Sequence, residues 1–401
     1  MSKNNLYIFR FFRIIRNLIV GLSVFILLFA IVVFISVEQW ASKEEGKLPV
    51  KTAVILHAIN ENLVPLDIEI PSFVKSSSGR STMVRENVEI PVRDGSTIAG
   101  KVYRPKGEGP YPIIMYYHGG AFLEGYGSIE THENIVRALA ARTQSIVIAV
   151  GYRVAPKHVF PTAIEDGYDA LLWAYDMADE WNGDRSKIAV AGDSAGGNIA
   201  TVVATMSRDV GGPKLSAQVL YYPLTTFKDV ALPSRNVYDS GYYLLSRSVM
   251  YLARDKYTPE QEMWSSPYTS PLEAEDLSSL PPTLIITAEF DPLRDEGEAY
   301  GKRLNEFGVP VETIRYKGVM HGFISFYEVM YRGNHGLQRS VHYLKTAFHE
   351  DITQEEYKVK VVDIQDGKET LRDQLEAYAM AGFLIGRQAF SMLPTQYTII
   401  K

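Results

Sequence analysis

The sequence of 401 residues contains no cysteine. This absence excludes disulfide bonds, thiolate zinc sites, iron–sulfur clusters and a cysteine nucleophile. Basic residues are also in the minority: 41 Lys and Arg stand against 47 Asp and Glu, and the formal net charge is −6. Since no cluster of basic residues occurs after residue 16, we expect no nucleic-acid partner. Hydrophobic residues, by contrast, make up 46% of the chain, which is enough for a large buried core.

Charge is also absent from residues 18–37, whose sequence is LIVGLSVFILLFAIVVFISV. A helix of this length extends about 30 Å, the thickness of the hydrocarbon core of a bilayer. Trp40 follows at the position of an interfacial aromatic, so the pattern predicts an uncleaved transmembrane anchor. A cleaved signal peptide is one alternative, although its apolar region is normally shorter and the junction VEQWAS is a poor cleavage site. A buried core helix is the other alternative.

The distribution of basic residues predicts the orientation of this anchor. Four basic residues precede it with no acidic residue among them, whereas the three that follow it closely are mixed with three acidic residues. By the positive-inside rule, residues 1–17 form a cytoplasmic basic segment and the chain after residue 37 lies on the extracytoplasmic side. We therefore expect a single-pass membrane protein with its main domain outside the cytoplasm.

Between residues 86 and 352, short β-type runs alternate with helical patterns. This alternation predicts an α/β fold with a mostly parallel, eight-stranded sheet and helices on both faces. The segment near residues 225–275 interrupts the alternation, and we interpret it as an insertion that forms a lid over a site. Residues 38–85 are predicted to be a tether and covering element, with a Ser-rich turn at SSSGRS.

The carboxy-terminal extension, residues 353–401, contains no motif with recognisable chemistry. Gly382 and Gly386 have the small-xxx-small spacing of packed helices, but the apolar run around them is too short to span a membrane and contains Arg387. We interpret this segment as a docking or dimerising helix. The sequence does not indicate the oligomeric state.

A candidate nucleophile lies in the string Gly192-Asp193-Ser194-Ala195-Gly196, which follows the apolar run KIAVA and precedes a helical pattern. Small residues on both sides of a serine permit a cramped strand-to-helix turn that exposes the hydroxyl. The free N–H groups at the start of the helix favour negative charge nearby. This context predicts that Ser194 is a nucleophile.

A glycine-rich turn, HGGAF, follows the predicted strand PIIMYY. An ordinary tight turn would need its glycines for positive φ alone. Combined with the serine, however, the turn predicts an oxyanion hole in which the N–H groups of Gly120, Ala121 and Ala195 are donors and Gly119 shapes the turn. His118 is predicted to stabilise the loop rather than to act as a base.

A serine hydroxyl needs a base, and the base needs a carboxylate to orient it. In α/β-hydrolases the chain order is serine, acid, histidine. His321 follows the predicted strand VETIRYKG, and Asp291 follows the strand TLIITA. We therefore predict His321 as the base. For the acid, spacing alone favours Asp291 but leaves Glu289, Asp295 and Glu296 as alternatives.

The strings HGGAF, YRVAPKHVFPTAIED, GDSAGGN, DPLRDEG and MHGF, in this order, resemble the hormone-sensitive-lipase-like branch of the α/β-hydrolases, the bacterial family IV esterases. The resemblance covers residues 86 to 350. It implies an α/β-hydrolase fold, Asp291 as the acid, and a helical cap formed by residues 38–85 together with the insertion. Ala121 is a departure, because many members have a third glycine there. The anchor is another departure, and with it the architecture resembles the membrane-bound arylacetamide deacetylase type.

The predicted function is that of a serine carboxylesterase acting through an acyl-enzyme on short-chain acyl or aryl esters, with no metal or organic cofactor. Phe122 and Tyr126 are candidates for the wall of the substrate pocket. A carbohydrate deacetylase or amidase with the same triad is an alternative, and so is a ligand-binding protein without catalysis. Metal-binding motifs such as H-E-x-x-H are absent from the sequence.

Overall fold

The β-type runs between residues 83 and 362 form one nine-stranded sheet in the computed structural model, which describes residues 3–63, 83–364 and 368–391. Its strand order is β11-β10-β9-β8-β7-β5-β6-β4-β3. All neighbours from β11 to β6 are parallel, and β4 and β3 are antiparallel at the far edge. The strands are β3 (Met83–Pro91), β4 (Thr97–Pro105), β5 (Tyr111–Tyr117), β6 (Ile146–Gly151), β7 (Gly183–Asp193), β8 (Leu215–Tyr221), β9 (Thr283–Phe290), β10 (Val311–Met320) and β11 (Val359–Val362).

The mostly parallel sheet is confirmed, but the predicted number of eight strands is wrong by one. The additional strand, β11, lies in the carboxy-terminal extension and pairs with β10 from Thr313 to Tyr316. This strand has only four residues, and valines alternate with lysines along residues 358–361, which is typical of a short edge strand. Four residues are too few to show the alternation by which the other strands were recognised.

Helices pack on the sheet because successive side chains of a strand point to opposite faces. In the central strand β7, Ile188 and Val190 join a buried cluster with Ile199 and Val203 of α5. The remaining helices of this part are α3 (Glu133–Thr143), α4 (Thr162–Met177), α5 (Ala195–Asp209), α8 (Arg294–Glu306) and α9 (Tyr331–Ala347). Helix α4 packs against α5, and α3 packs against α9.

The insertion predicted near residues 225–275 lies between β8 and β9. It contains the short helices α6 (Pro233–Val237) and α7 (Arg247–Tyr257), together with two short 3₁₀ turns. Helix α7 begins after Ser246, whose hydroxyl oxygen accepts a hydrogen bond from the N–H of Val249 at 3.1 Å. This is a standard N-cap, and it gives the insertion a defined helical element.

The chain divides into two units, which we call the sheet unit (Asp67–Gln365) and the helical unit (Met1–Leu66 and Asp366–Lys401). The described helical unit consists of α1 (Lys3–Ala41), α2 (Val50–Asn60) and α10 (Lys368–Ser391), with a hairpin of two-residue strands, β1 (Ser42–Lys43) and β2 (Gly46–Lys47), between α1 and α2. The predicted Ser-rich turn at SSSGRS lies outside the described residues.

Helix α1 is long and apolar enough, from Arg10 to Ala41, to cross a membrane by length and composition. Its last turns share a small buried core with the other two helices of the helical unit. This core consists of Val33, Val37, Val54, Ala58, Ala377, Ala381 and Leu384. Part of the predicted tether, residues 50–60, is therefore a helix that packs against α1 and α10.

Candidate active site

Ser194 lies on the sharp turn between β7 and α5. Its backbone has φ 55° and ψ −119°, a conformation that non-glycine residues rarely adopt. The turn also brings backbone atoms very close together, because a Cβ at Gly196 would lie 2.0 Å from the carbonyl oxygen of Tyr117. Only glycine fits at this position, which explains why the cramped turn has small residues beside the serine.

The structure brings Ser194, His321 and Asp291 into one hydrogen-bonded chain. His321 Nε2 lies 3.0 Å from Ser194 Oγ, and His321 Nδ1 lies 2.9 Å from Asp291 Oδ2. Asp291 is fully buried, and its other carboxylate oxygen accepts a hydrogen bond from the N–H of Leu293 at 2.8 Å. All three residues follow parallel strands, whose carboxyl ends meet at one edge of the sheet.

The alternative acids have other partners. Glu289 accepts a hydrogen bond from the N–H of Gly318, and Asp295 accepts one from the N–H of Ser234. Glu296 is fully buried and accepts a hydrogen bond from Arg235 Nε at 2.7 Å. Glu296 therefore belongs to a buried ion pair that ties α8 to the insertion.

The glycine-rich turn lies beside the sharp turn that carries Ser194, which we call the elbow. Gly120, Ala121 and Phe122 all have positive φ, at 133°, 54° and 59°. Ala121 and Ala195 line the same cleft as Ser194. Two of the three predicted oxyanion donors, Ala121 and Ala195, thus belong to residues that line the cleft with the serine. The N–H of Gly119, in contrast, donates to Asp193 Oδ1 at 3.0 Å, which agrees with a role in shaping the turn.

Asp193 is a functional candidate that the sequence reasoning missed. Besides the N–H of Gly119, its carboxylate accepts hydrogen bonds from the hydroxyl of Tyr116 at 2.7 Å and from Nε2 of His132 at 3.1 Å. It thereby ties the elbow to the glycine-rich turn. Its position next to the serine in GDSAG was a visible indication, whereas nothing in the string ETHEN marks His132.

The directions of the pKa shifts of Asp193 and His132 are consistent with an ion pair between them. Burial alone would raise the pKa of Asp193, but the charge and hydrogen bond of His132 outweigh it, and the pKa of this carboxyl lies below its ordinary value. Burial would likewise lower the pKa of His132, but the charge of Asp193 raises it above its ordinary value. The two shifts have the directions expected when both groups are charged.

His118 has a different state. Burial, together with the nearby His132, lowers the pKa of His118 to about 4. Its ring stacks on Tyr152 at 4.3 Å between centroids, and its Nδ1 lies 2.7 Å from the carbonyl oxygen of Gly119. It is therefore a neutral side chain in contact with the turn, in the position predicted for a residue that stabilises the loop.

The cleft beside Ser194 is walled mainly by the insertion. Its apolar lining consists of Leu224, Phe227, Leu245, Met250, Ala253 and Leu293. The two aromatic residues predicted for this wall lie elsewhere. Phe122 is fully buried and stacks on Tyr257 with centroids 4.1 Å apart, and Tyr126 is half exposed. Phe122 is instead part of the buried core of the sheet unit.

Among the described residues, no group of three or more His, Cys, Asp or Glu side chains is arranged to hold a metal ion. The polar groups around Ser194 are instead paired with one another or with the backbone.

Comparison with known proteins agrees with this geometry. Residues 114–325, more than half of the chain, match the family model described as alpha/beta hydrolase fold. The chain belongs to the α/β-hydrolase family. Within it, the chain is a hormone-sensitive-lipase-like esterase, so the resemblance of the five motifs is confirmed.

Several relatives of this α/β-hydrolase are named as esterases. Carboxylesterase NlhH of Mycobacterium tuberculosis is 42% identical over 241 residues, which are 59% of this chain and 74% of the relative. Ethyl acetate hydrolase of Pseudomonas putida is 32% identical over 288 residues, 70% of this chain and 89% of the relative. A solved structure of a hyperthermophilic esterase from the archaeon Pyrobaculum calidifontis matches with a TM-score of 0.66 and 39% identity, covering 73% of this chain and 96% of that chain. The protein is a carboxylesterase.

Proposed function

We propose that this esterase works through a covalent acyl-enzyme, with Ser194 as the nucleophile, His321 as general base and acid, and Asp291 as the carboxylate that orients the histidine. The observation that carries the proposal is the continuous chain of contacts at 3.0 Å and 2.9 Å from the serine hydroxyl through the imidazole to the carboxylate. A hydroxyl is a weak nucleophile near neutral pH, and this arrangement gives its proton a nearby acceptor.

In the first half of the reaction, Ser194 Oγ attacks the ester carbonyl while its proton moves to His321 Nε2. Asp291 stabilises the imidazolium that forms. The oxyanion of the tetrahedral intermediate accepts hydrogen bonds from the N–H groups of Gly120, Ala121 and Ala195. The intermediate collapses as the imidazolium returns the proton to the leaving alcohol. Water then repeats the sequence on the acyl-enzyme and releases the acid.

Short-chain acyl or aryl esters are the proposed substrates. The cleft beside the serine is bounded by side chains of the insertion, such as Leu245 and Met250, and this apolar lining suits an acyl chain or a ring. The names of two relatives, an arylesterase of Saccharolobus solfataricus and the ethyl acetate hydrolase, fit this class.

The protein is further proposed to be anchored in a membrane by α1, with the sheet unit on the extracytoplasmic side. Two features support an uncleaved anchor over a signal peptide. The candidate cleavage region at Ala41 lies inside α1, and Val33 and Val37 belong to the core of the helical unit. Cleavage there would remove these side chains and expose the apolar faces of α2 and α10. The side of the membrane follows from the basic residues in the first part of α1, ahead of its charge-free stretch.

The test is hydrolysis of a chromogenic ester series, from acetate to palmitate, by the full chain in detergent beside its Ser194→Ala variant. Turnover that is greatest on short chains and absent from the variant is the expected result. Retained turnover in the variant would overturn the mechanism. Parallel assays on acetanilides and acetylated sugars address the amidase and deacetylase alternatives, since a preference for either would replace the proposed substrate class.

A further inference from the structure

Helix α10 lies antiparallel to the distal half of α1. Tyr378 stacks on Phe34 with ring centroids 6.2 Å apart. One turn later on α10, a Cβ at Gly382 would lie 3.6 Å from a ring carbon of Phe29, and a Cβ at Gly386 would lie 4.0 Å from the same ring. Residue numbers on α1 fall as those on α10 rise. The final turns of α10 therefore run back along the apolar stretch of α1.

The opposite face of α10 is apolar and exposed. Whereas Ala377 and Ala381 are fully buried against the other helices, the side chains of Phe383 and Phe390 are 68% and 77% exposed. The same helix also exposes Leu371, Leu375 and Met380. Arg372 lies among the first of these side chains and is 73% exposed. From Ala377 to Gly386 no charged residue interrupts the face, and the large apolar side chains exposed there mark a surface that is covered by something other than water.

The charged residues of α10 are distributed unevenly along its length. Its first half contains Glu376, which accepts a hydrogen bond from Lys51 at the start of α2 at 2.6 Å. From Ala377 to Gly386 there is no charged residue. The next charged residue, Arg387, donates to the carbonyl oxygen of Leu63, just beyond the end of α2, at 3.3 Å. The polar half of α10 thus lies toward the end of α1, and its apolar half lies toward the middle of α1.

We propose that the exposed apolar face of α10 is embedded in the phospholipid bilayer that α1 spans, so that the chain contacts the membrane through two helices. The inference rests on the proposed anchoring by α1. From Arg10 to Ala41 this helix has 32 residues. That corresponds to about 48 Å, which exceeds a hydrocarbon core of about 30 Å. Part of α1 must therefore protrude from the hydrocarbon. We assign this to the part that packs with α2 and the polar half of α10, because charged side chains lie beside it.

The level of Val33 on α1, 3.8 Å from a Cβ built at Gly382, marks the boundary of the hydrocarbon, so that residues 18–33 lie within it and the basic residues up to Arg16 stay outside. One turn deeper, beside Phe29, α10 passes from its uncharged stretch to Arg387, whose long side chain can reach the headgroups while its stem stays among apolar groups. Phe383 then lies in the interfacial layer, and Phe390 lies among the acyl chains. The outer end of the span shifts accordingly from Val37 to Val33.

A bilayer fits this surface better than a second copy of the chain. Around α1, at the level where α10 docks, the side chains of Ile31, Val32 and Ile35 are exposed as well. Together with Phe383 they form an apolar surface that continues around the pair of helices. A partner protein would cover one side of it, whereas lipid covers all sides.

The absence of cysteine makes a direct test possible with single-cysteine variants of the full chain. Phe383→Cys and Phe390→Cys, each labelled with an environment-sensitive fluorophore, are reconstituted into phosphatidylcholine vesicles with quenching bromines in the headgroup region or on the acyl chains. Leu22→Cys in α1 is the control for the anchor. Val210→Cys, on the surface of the sheet unit, is the control for water. Ester hydrolysis by each variant verifies that it is folded.

We expect the label at position 390 to shift to shorter wavelength and to lose emission to acyl-chain bromines, and the label at 383 to lose emission mainly to headgroup bromines. The label at 210 should remain unquenched. If the label at 22 is quenched while those at 383 and 390 emit as in water, the inference is wrong and the anchor stands. If labels at 383 and 390 are shielded from water, resist lipid quenching and quench each other between chains, a second copy covers the face and the inference is overturned. If the label at 22 is unquenched as well, the anchor fails and the inference fails with it.

Discussion

Two buried pairs of histidine and aspartate lie on either side of the elbow, and they consist of the same chemical groups at nearly the same distance. His321 Nδ1 lies 2.9 Å from Asp291 Oδ2, and His132 Nε2 lies 3.1 Å from Asp193 Oδ2. They differ in what the second ring nitrogen meets. That of His321 faces the hydroxyl of Ser194 at 3.0 Å.

The second nitrogen of His132 lies 2.9 Å from the hydroxyl of Thr131 and 3.1 Å from the carbonyl oxygen of Ser128. The Thr131 hydroxyl donates its own proton to that carbonyl at 3.0 Å, so both nitrogens of His132 face acceptors, which favours the doubly protonated ring. Facing a hydroxyl is therefore not enough for proton transfer. The comparison teaches that the hydroxyl must also lie open to a cleft, as that of Ser194 does, whereas the hydroxyl of Thr131 is bonded to the backbone and the pair beside it fastens one loop to another.

The largest effect is expected when the nucleophile that faces the first pair is removed. Ser194→Ala should lower kcat by about 10⁵- to 10⁶-fold, because the attacking oxygen is removed. His321→Ala should cost a similar factor, and the double variant should lose little more, since the residues act as a unit. Steady-state kinetics on a short-chain ester measure all three. If the kcat loss of the double variant equalled the product of the two single losses, the two residues would act independently and this expectation would be wrong.

Asp291→Asn should lower kcat by about 10⁴-fold while leaving the fold intact, because the amide holds the imidazole in the wrong tautomer. Glu289→Gln is the matched control: it changes an acid nearby that contacts the N–H of Gly318 and not His321. A loss in the control as large as in Asp291→Asn would assign the orienting role to the wrong carboxylate.

Breaking the second pair should have a smaller effect on catalysis. Asp193→Ala removes the acceptor of the Gly119 N–H and leaves His132 without its charged partner. We expect kcat to fall by about 10²-fold through displacement of the oxyanion donors, and stability to fall by about 3–5 kcal/mol. Asp193→Asn keeps an oxygen for the N–H and should recover part of kcat but less of the stability. If both variants behave alike in kcat and denaturant unfolding, the hydrogen bond to the turn has no role of its own.

The charge of His132 makes a prediction for pH. Because the pKa of His132 is raised in the folded protein, its contribution to stability is complete below its unfolded pKa of about 6.5 and is lost as pH rises through the folded value. The difference in melting temperature between the wild type and His132→Gln should therefore shrink from pH 6 toward alkaline pH. Circular dichroism melts at several pH values measure it. A difference that grows with pH would mean that the neutral ring is the stabilising form.

The smallest effect is expected at Ala121, the residue that stands where many relatives of the family have glycine. Its φ of 54° costs about 1–2 kcal/mol for an L-residue, and glycine would relieve this but lose about 0.5–1 kcal/mol of backbone entropy. Ala121→Gly should thus change stability by about 1 kcal/mol at most and leave kcat nearly unchanged, since the N–H is retained. Thermal melts and kinetics check both. A large loss of kcat would show that the methyl group itself positions the substrate.

Much of the sheet and of the arrangement around Ser194 could be predicted from the sequence because it rests on local patterns in chain order. Strand runs followed by helical patterns specify a parallel sheet, and residues at the carboxyl ends of neighbouring strands must meet at one edge. Ser194, Asp291 and His321 were predicted on this basis, and the structure places them in contact.

Other features depend on contacts between residues distant in the sequence, which periodicity does not encode. His132 and Asp193 are 61 residues apart, and neither has a motif that names the other. The side chain of Phe122 is buried against Tyr257, a residue 135 positions further along the chain. The edge strand β11 was too short to recognise before its neighbour β10 was in place.

By itself, the sequence determined the class of chemistry, the family and the presence of an apolar helix long enough to span a bilayer, because each depends on residue types in a fixed order along the chain. Only the tertiary structure decided what Asp193 holds and where α10 docks. These depend on distances between segments that are remote in the chain, and hydrogen bonds and close packing select among them only once the backbone has brought the segments together.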